Sequence, residues 1–371
     1  MRILFLSNNL SGGGAERVLV NLANQMAENR QDITLRVLAN TGDNRKNLSD
    51  KVKYEYIFKS NFRGINYLYL LPSKWIFNKV AHGNFDVIVV YLHGVLTKIV
   101  ANAPASQKTV AYLHANMEKS PFIKSLGSKE NIQKCFKSYD RIVSVSQEVQ
   151  DSFIRVSGID DDRLVVKYNT FDVDRIKSLA KEPIDNLFKE KKGFSICTVG
   201  KLETVKGHKR LLSIMKRLID NNLFAKLTIV GDGPLRAELQ EYINQNNLRD
   251  YVYLVGFDAN PYKYVAKSDL FVCSSFSEGF SSVVAESLIL GVPVVTTDCA
   301  GMREMLGDNN EFGIITNNDE ESLYNALADI ISDNEKLEKY RTAALTRGKF
   351  FEPQQTVGAI QKMLEEILNE Q

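Results

Sequence analysis

Short continuous apolar runs alternate with amphipathic stretches from the first residues of the chain. RILFL (2–6), ITLRVLA (33–39), DVIVVY (86–91), TVAYLH (109–114) and RIVSVS (141–146) read as strands, and AERVLVNLANQMAEN (15–29) reads as a helix. Runs of Val, Ile and Leu bounded by turns fit strands covered on both faces, and helical spacing between them implies parallel crossovers. The pattern then restarts with FSICTVG (194–200), KLTIVG (226–231), YVYLVGF (251–257), DLFVCSS (269–275) and VPVVTT (292–297). Amphipathic segments near 208–220, 235–246, 281–290 and 319–332 separate or follow these runs. Between the halves lies a polar, lysine-bearing stretch at 171–193 that holds Pro183 and reads as a linker. The expectation is two doubly wound α/β domains over 1–175 and 190–350. A last amphipathic helix lies within 351–371 (VGAIQKMLEEIL, 357–368). Sheets of this kind bind ligands outside the carboxyl ends of their strands, and two of them are expected to form a cleft.

Composition agrees with that division. A chain of 371 residues exceeds one ordinary core, and 44% apolar with 25% charged residues is a globular balance. The net charge of +2 argues against nucleic acid as a partner. The charge is unevenly placed: residues 1–175 carry 24 Lys+Arg against 17 Asp+Glu, and the remainder 23 against 28. A basic first half facing an anionic partner and an unevenly solvated surface both fit this asymmetry. Cys135, Cys197, Cys273 and Cys299 have no metal-ligand spacing, and Cys197 and Cys273, inside apolar runs, read as buried free thiols of a reducing compartment. The apolar run at the N-terminus is too short for a signal peptide, and nothing approaches the roughly 18 apolar residues of a membrane span. The expected location is the cytoplasm, at or away from a membrane surface.

Three segments carry the chemistry. SNNLSGGGAERVLVNLA (7–23) is a strand end, three glycines and a helix start, where backbone N–H groups can meet an anion. It is not a G-x-G-x-x-G dinucleotide fingerprint. VGKLETVKGHKRLL (199–212) puts Lys201 and Lys206 on the loop after a strand, where a ligand phosphate would lie; solvated lysines are the plainer reading. SEGFSSVVAESLILGVPVVTTDCAG (277–301) delivers Glu278 at a strand end, a glycine turn, and a helix opening at Ser281 or Ser282 with Glu286 one turn inside. Acids near a helix start are favoured by the helix dipole in any case. A carboxylate before an exposed glycine turn has no evident structural duty.

Together these segments resemble retaining glycosyltransferases of family 4. Glu278–Gly279–Phe280 through Glu286, followed by GVPVV, is similar to that family's E-x7-E signature. Gly200–Lys201–Leu202 with Lys206–Gly207, IVGDGPLRAEL (229–239), SGGGAERV and KYNTFD (167–172) match in order and spacing over nearly the whole chain. The resemblance implies a GT-B fold of two Rossmann-like domains, the second holding a nucleoside diphosphate sugar, most simply UDP-linked. It implies that Glu286 accepts the two ribose hydroxyls, that Glu278 contacts the transferred sugar, and that Lys201 and Lys206 hold the diphosphate. Lys201 stands where the family usually has arginine, keeping the charge without the bidentate fork. Gly13, Gly14 and Gly200, with Gly279, Phe280, Ser281 and Ser282, would line the donor, and Phe257 would lie near the base. His114 matches the family's histidine beside the reacting sugar carbon, with His93 as competitor.

The implied reaction is hexosyl transfer with retention to a glycan or lipid-diphosphate-linked acceptor, in bacterial surface polysaccharide or capsule synthesis. The alternatives are a sugar-nucleotide epimerase of the same shape and a non-catalytic nucleotide-sugar-binding protein. No cofactor or metal is expected, because one cation about 4 Å from the leaving oxygens is worth roughly 4 kcal/mol at an effective dielectric near 20. Asp172–Val173–Asp174 and Asp160–Asp161–Asp162 read as surface rather than as metal ligands. Two basic segments of the first half, 118–141 and the aromatic FRGINYLYLLPSKWIF (62–77), fit either buried aromatics with a solvated helix face or peripheral association with an anionic membrane or lipid diphosphate.

Overall fold

The computed structural model describes residues 1–11, 14–184 and 193–370. Two compact units emerge, Met1–Phe171 with Pro353–Gln371, and Asp172–Glu352. The first is built on strands β1 (Arg2–Ser7), β2 (Asp32–Ala39), β3 (Lys53–Phe58), β4 (Val87–Val90), β5 (Lys108–Leu113), β6 (Arg141–Ser144) and β7 (Leu164–Val166). They form one parallel sheet in the order β3-β2-β1-β4-β5-β6-β7. The second is built on β8 (Phe194–Val199), β9 (Ala225–Val230), β10 (Val252–Gly256), β11 (Leu270–Cys273), β12 (Val294–Thr297) and β13 (Ile314–Thr316). Its parallel order is β10-β9-β8-β11-β12-β13.

Each order reverses at one strand. In the first unit β1 lies between β2 and β4, and in the second β8 lies between β9 and β11. Crossovers leave opposite faces of the sheet on either side of that strand, so its carboxyl end opens into a crevice. The apolar runs supply the reason for burial: Ile3, Leu4 and Phe5 of β1 and Val87 to Val90 of β4 are at most 1% exposed. In the second unit Ile196, Leu227, Ile229, Leu270 and Val272 pack with Leu211, Leu212 and Met215 of helix His208–Asp220 into one core.

Three strands were not legible as apolar runs. β3 is an edge strand that alternates polar and apolar residues, and its Glu55 accepts from the buried guanidinium of Arg36 on β2 (Nε to Oε2, 2.8 Å). β7 and β13 have three residues each, too few to show a period. The expected linker also holds a helix, Val173–Leu179, whose N-cap is Asp172: its carboxylate accepts from the Arg175 amide at 3.0 Å. That gives the first aspartate of the Asp-x-Asp string a capping role. Residues 185–192 of that stretch lie outside the described residues.

The final helix, Pro353–Asn369, buries Val357, Ile360, Met363, Leu364 and Ile367 within the first unit. Beyond it Glu370 pairs with Arg141, and its carbonyl accepts from Lys108 Nζ at 3.1 Å. Among the described residues no helix is long and apolar enough to cross a membrane. All four cysteines are free, with Cys197 and Cys273 buried in their strands.

Candidate functional site

In the second unit the loops after β8 and β11 meet. The backbone after β8 runs through Gly200 and Lys201 into a 3-10 turn, Thr204–Lys206, and then Gly207 opens helix His208–Asp220. Gly207 is left-handed, with φ of 67°, and a Cβ there would lie 1.9 Å from the Ser274 carbonyl oxygen. Only glycine lets the two loops approach this closely. Ser274 Oγ returns a hydrogen bond to the Lys206 carbonyl at 3.0 Å.

This approach brings Lys206 and Glu278 into contact, with Nζ 2.8 Å from Oε1. The same carboxylate oxygen accepts from Ser275 Oγ at 2.5 Å, and Cys273 Sγ lies 3.9 Å away. Burial alone would lower the Lys206 pKa; the charge and hydrogen bond of Glu278 outweigh it and hold the ammonium above its usual value. Burial raises the Cys273 thiol, so it stays protonated as a weak donor toward the carboxylate. The carboxylate that had no evident duty in the sequence therefore has three partners at the end of β11.

Lys201 is placed differently. Its side chain is 70% exposed and pairs with Glu203 at 2.8 Å, so the two lysines sit in separate ion pairs on one loop. Glu286 lies in helix Ser282–Ile289 and is only 4% exposed; Tyr262 Oη donates to its Oε1 at 3.3 Å. A carboxylate this deeply placed is held in one orientation by its surroundings. Ser281 takes the N-cap position, but its side chain makes no capping hydrogen bond. The first turn of that helix thus has no side-chain cap at the place where the resemblance puts donor contacts. Phe280 is buried against Phe351, edge to face at 6.5 Å, and Gly301, with φ of 77°, lets the backbone pass close to the Gly279 carbonyl. Phe257 follows β10 and is 80% exposed.

Sequence reading missed two residues at this edge, one of which organises it. Arg210 is buried and donates to the carbonyls of Ser274 (Nε, 2.8 Å) and Ser275 (Nη2, 2.8 Å) and to Asn318 Oδ1 at 2.9 Å. Its guanidinium stacks 4.0 Å from the centre of the Phe276 ring. It fixes the loop that carries Ser275 and Glu278. His208 is buried beside the backbone of Gly200 and Lys201, and burial lowers its pKa to about 4.

In the first unit Gly14 begins helix Gly14–Glu28 at the carboxyl end of the reversal strand β1; Gly13 lies outside the described residues. His93 and His114 follow the neighbouring strands β4 and β5. The His114 ring lies 4.6 Å from that of Tyr91 and 5.8 Å from that of Tyr112, and its Nε2 is buried without a partner. Burial, reinforced by the nearness of His93, lowers its pKa to about 3. Burial lowers His93 to about 4, and its Nδ1 is likewise unpartnered. Both rings are neutral hydrogen-bonding groups at neutral pH. Among the described residues no three His, Cys, Asp or Glu side chains cluster with metal-binding geometry.

The sequence matches two family models that together span most of the chain: "Glycosyltransferase Family 4" over residues 12–175 and "Glycosyl transferases group 1" over 181–347. A relative in Campylobacter jejuni, N-acetylgalactosamine-N,N'-diacetylbacillosaminyl-diphospho-undecaprenol 4-alpha-N-acetylgalactosaminyltransferase, is 33% identical over 271 residues, covering 72% of this chain and 70% of its own. An Escherichia coli relative, UDP-Gal:alpha-D-GlcNAc-diphosphoundecaprenol alpha-1,3-galactosyltransferase, is 26% identical over 66% of each chain. The crystal structure of HepE from Anabaena in complex with UDP and glucose superposes with a TM-score of 0.75, covering 100% of this chain and 99% of that one at 22% identity. The fold of this chain is accordingly that of GT-B glycosyltransferases.

Proposed function

The chain belongs to the group 1, family 4 glycosyltransferases, and on that premise we propose that it moves a hexosyl unit from a UDP-linked donor to a glycan on a lipid diphosphate, with retention of configuration. The observation that carries this reading is the contact between Lys206 and Glu278 at the carboxyl edge of β8 and β11, in the unit matched by the group 1 model. In it the donor diphosphate lies against Lys206, with Lys201 and the uncapped start of helix Ser282–Ile289 adding positive potential. Glu286 accepts the ribose hydroxyls, for which two carboxylate oxygens are suited. Glu278 exchanges part of its contact with Lys206 for hydroxyls of the sugar.

As the bond from the anomeric carbon to the diphosphate breaks, negative charge grows on the leaving oxygen, and Lys206 stabilises it without a resident metal. The acceptor hydroxyl attacks the same face of the sugar, and its proton passes to the departing phosphate. His114 serves as a neutral hydrogen-bonding group toward the transferred sugar, as the resemblance implies. The acceptor class rests on the relatives in Campylobacter jejuni and Escherichia coli, whose names specify undecaprenyl diphosphate glycans. Surface polysaccharide synthesis at the cytoplasmic side of a membrane is the setting that fits such substrates.

The test is a screen of UDP-sugars for slow UDP release, followed by transfer to a polyprenyl-diphosphate glycan with the product anomer read by NMR. An α-linked product from an α-linked donor supports the proposal. A new UDP-sugar in place of free UDP would mark an epimerase, and binding without turnover would mark a nucleotide-sugar-binding protein.

A further inference from the structure

Most of the large apolar side chains that the first unit leaves exposed fall in one short segment. Phe62, Tyr67, Leu70, Leu71 and Trp75 all stand out of the surface, with Tyr67, Leu70 and Trp75 at 64%, 69% and 57% exposure. The segment is a 3-10 turn, Ile65–Leu70, followed by helix Ser73–Val80, which Ile76, Phe77 and Val80 anchor in the core. The exposed residues are therefore held by folded structure. An exposed apolar cluster of this kind marks a surface that meets something apolar.

Charge specifies the partner. No Asp or Glu occurs from Tyr56 to Phe85, whereas Lys59, Arg63, Lys74 and Lys79 do. All four are exposed, and none pairs with an acid among the described residues. Aromatic and aliphatic side chains interleaved with unpaired cations fit the boundary of an anionic bilayer, where rings enter the headgroup layer and ammonium groups meet phosphates. A protein partner of matching shape would have to neutralise four cations; a membrane does so by composition.

The same surface connects to His93. Lys98 Nζ lies 4.2 Å from the Tyr69 ring centre, donates to Ser125 Oγ at 3.1 Å and lies 5.9 Å from the Phe122 ring centre. The Phe122 ring is 5.8 Å from that of His93. The two basic segments singled out in the sequence are thus joined in this unit and abut the end of β4.

We propose that the Phe62–Trp75 surface is an interfacial anchor that seats the first unit on anionic lipid and admits a lipid-borne acceptor past Lys98 and Phe122 toward His93. This rests on the acceptor class proposed above. Trp75 is the only tryptophan in the chain, so its emission reports the contact directly. Full-length protein is mixed with phosphatidylcholine vesicles with and without 30 mol% phosphatidylglycerol, and Trp75 emission, bromolipid quenching and vesicle flotation are followed. The expected result is a blue shift and quenching with anionic vesicles, and binding weaker by about tenfold or more in their absence. Leu70→Glu with Leu71→Glu removes flotation and leaves UDP release from a soluble donor unchanged. An unshifted Trp75 with anionic vesicles, or undiminished flotation of the double variant, overturns the proposal. So does a blue shift that grows with protein concentration in the absence of lipid, which would assign the surface to a second copy. Vesicle binding without UDP release in the wild type would undo the transferase reading alone, and UDP release without vesicle binding would undo the anchor alone.

Discussion

Lys206 Nζ and Glu278 Oε1 lie 2.8 Å apart although 72 residues separate them in the chain. The cation that would receive the leaving diphosphate and the carboxylate that would receive the sugar are thereby one coupled pair. Lys206→Ala and Glu278→Gln are each expected to lower kcat/KM by about 10²–10³. The double variant should fall by less than the product of the two, because each single change already breaks the pair. Steady-state UDP release from the four forms measures this; strictly multiplicative losses would show that the two groups act apart.

Stability should fall with pH through the buried histidines. His208 protonates near 4 in the folded chain against an ordinary 6.5, so between these values the unfolded state holds the additional proton. Stability is complete above pH 6.5 and is lost as pH drops toward 4, by about 2 kcal/mol from pH 7 to pH 5 for this group alone. His93 and His114 act in the same direction. Urea denaturation across that range should show the loss, and His208→Gln should reduce its slope.

Two glycines should respond oppositely to alanine. At Gly207 a Cβ would strike the Ser274 carbonyl oxygen at 1.9 Å from a left-handed backbone, so Gly207→Ala should cost about 1–3 kcal/mol and most of the activity. At Gly358, within helix Pro353–Asn369, a Cβ would meet nothing within 4 Å. Gly358→Ala should stabilise by about 0.5–1 kcal/mol with activity unchanged. Thermal melts and UDP release distinguish the two.

Chelation tests how the leaving charge is carried. With Lys206, Lys201 and a helix start in that role, dialysis against EDTA should leave UDP release within about twofold of its starting rate. A loss restored by Mg²⁺ or Mn²⁺ would assign the charge to a metal instead.

Much of this was legible along the chain, for stated physical reasons. The strands β1, β4, β8 and β11 are continuous apolar runs because both of their faces are covered, and motifs at their ends inherit their positions. Lys206, Glu278 and Glu286 were nameable because they sit on those ends or one turn beyond and match the positions of the family motifs. The pairing of Lys206 with Glu278, and of Lys201 with Glu203, was not nameable, since spacing records no contact across loops. Arg210 reads in the sequence as one more cation on an amphipathic helix; its acceptors at Ser274 and Ser275 lie 64 and 65 residues away. His208 escaped for the same reason, and β3 escaped because an edge strand alternates where a central strand does not.

The most direct measurement is calorimetric binding of UDP and 2′-deoxy-UDP to the wild type and to Glu286→Ala. A buried carboxylate holding the ribose diol predicts that the wild type prefers UDP by about tenfold or more and that Glu286→Ala binds both ligands equally weakly. If Glu286→Ala kept the full preference for the ribose 2′-hydroxyl, this edge of the second sheet would not be where the donor nucleoside is held.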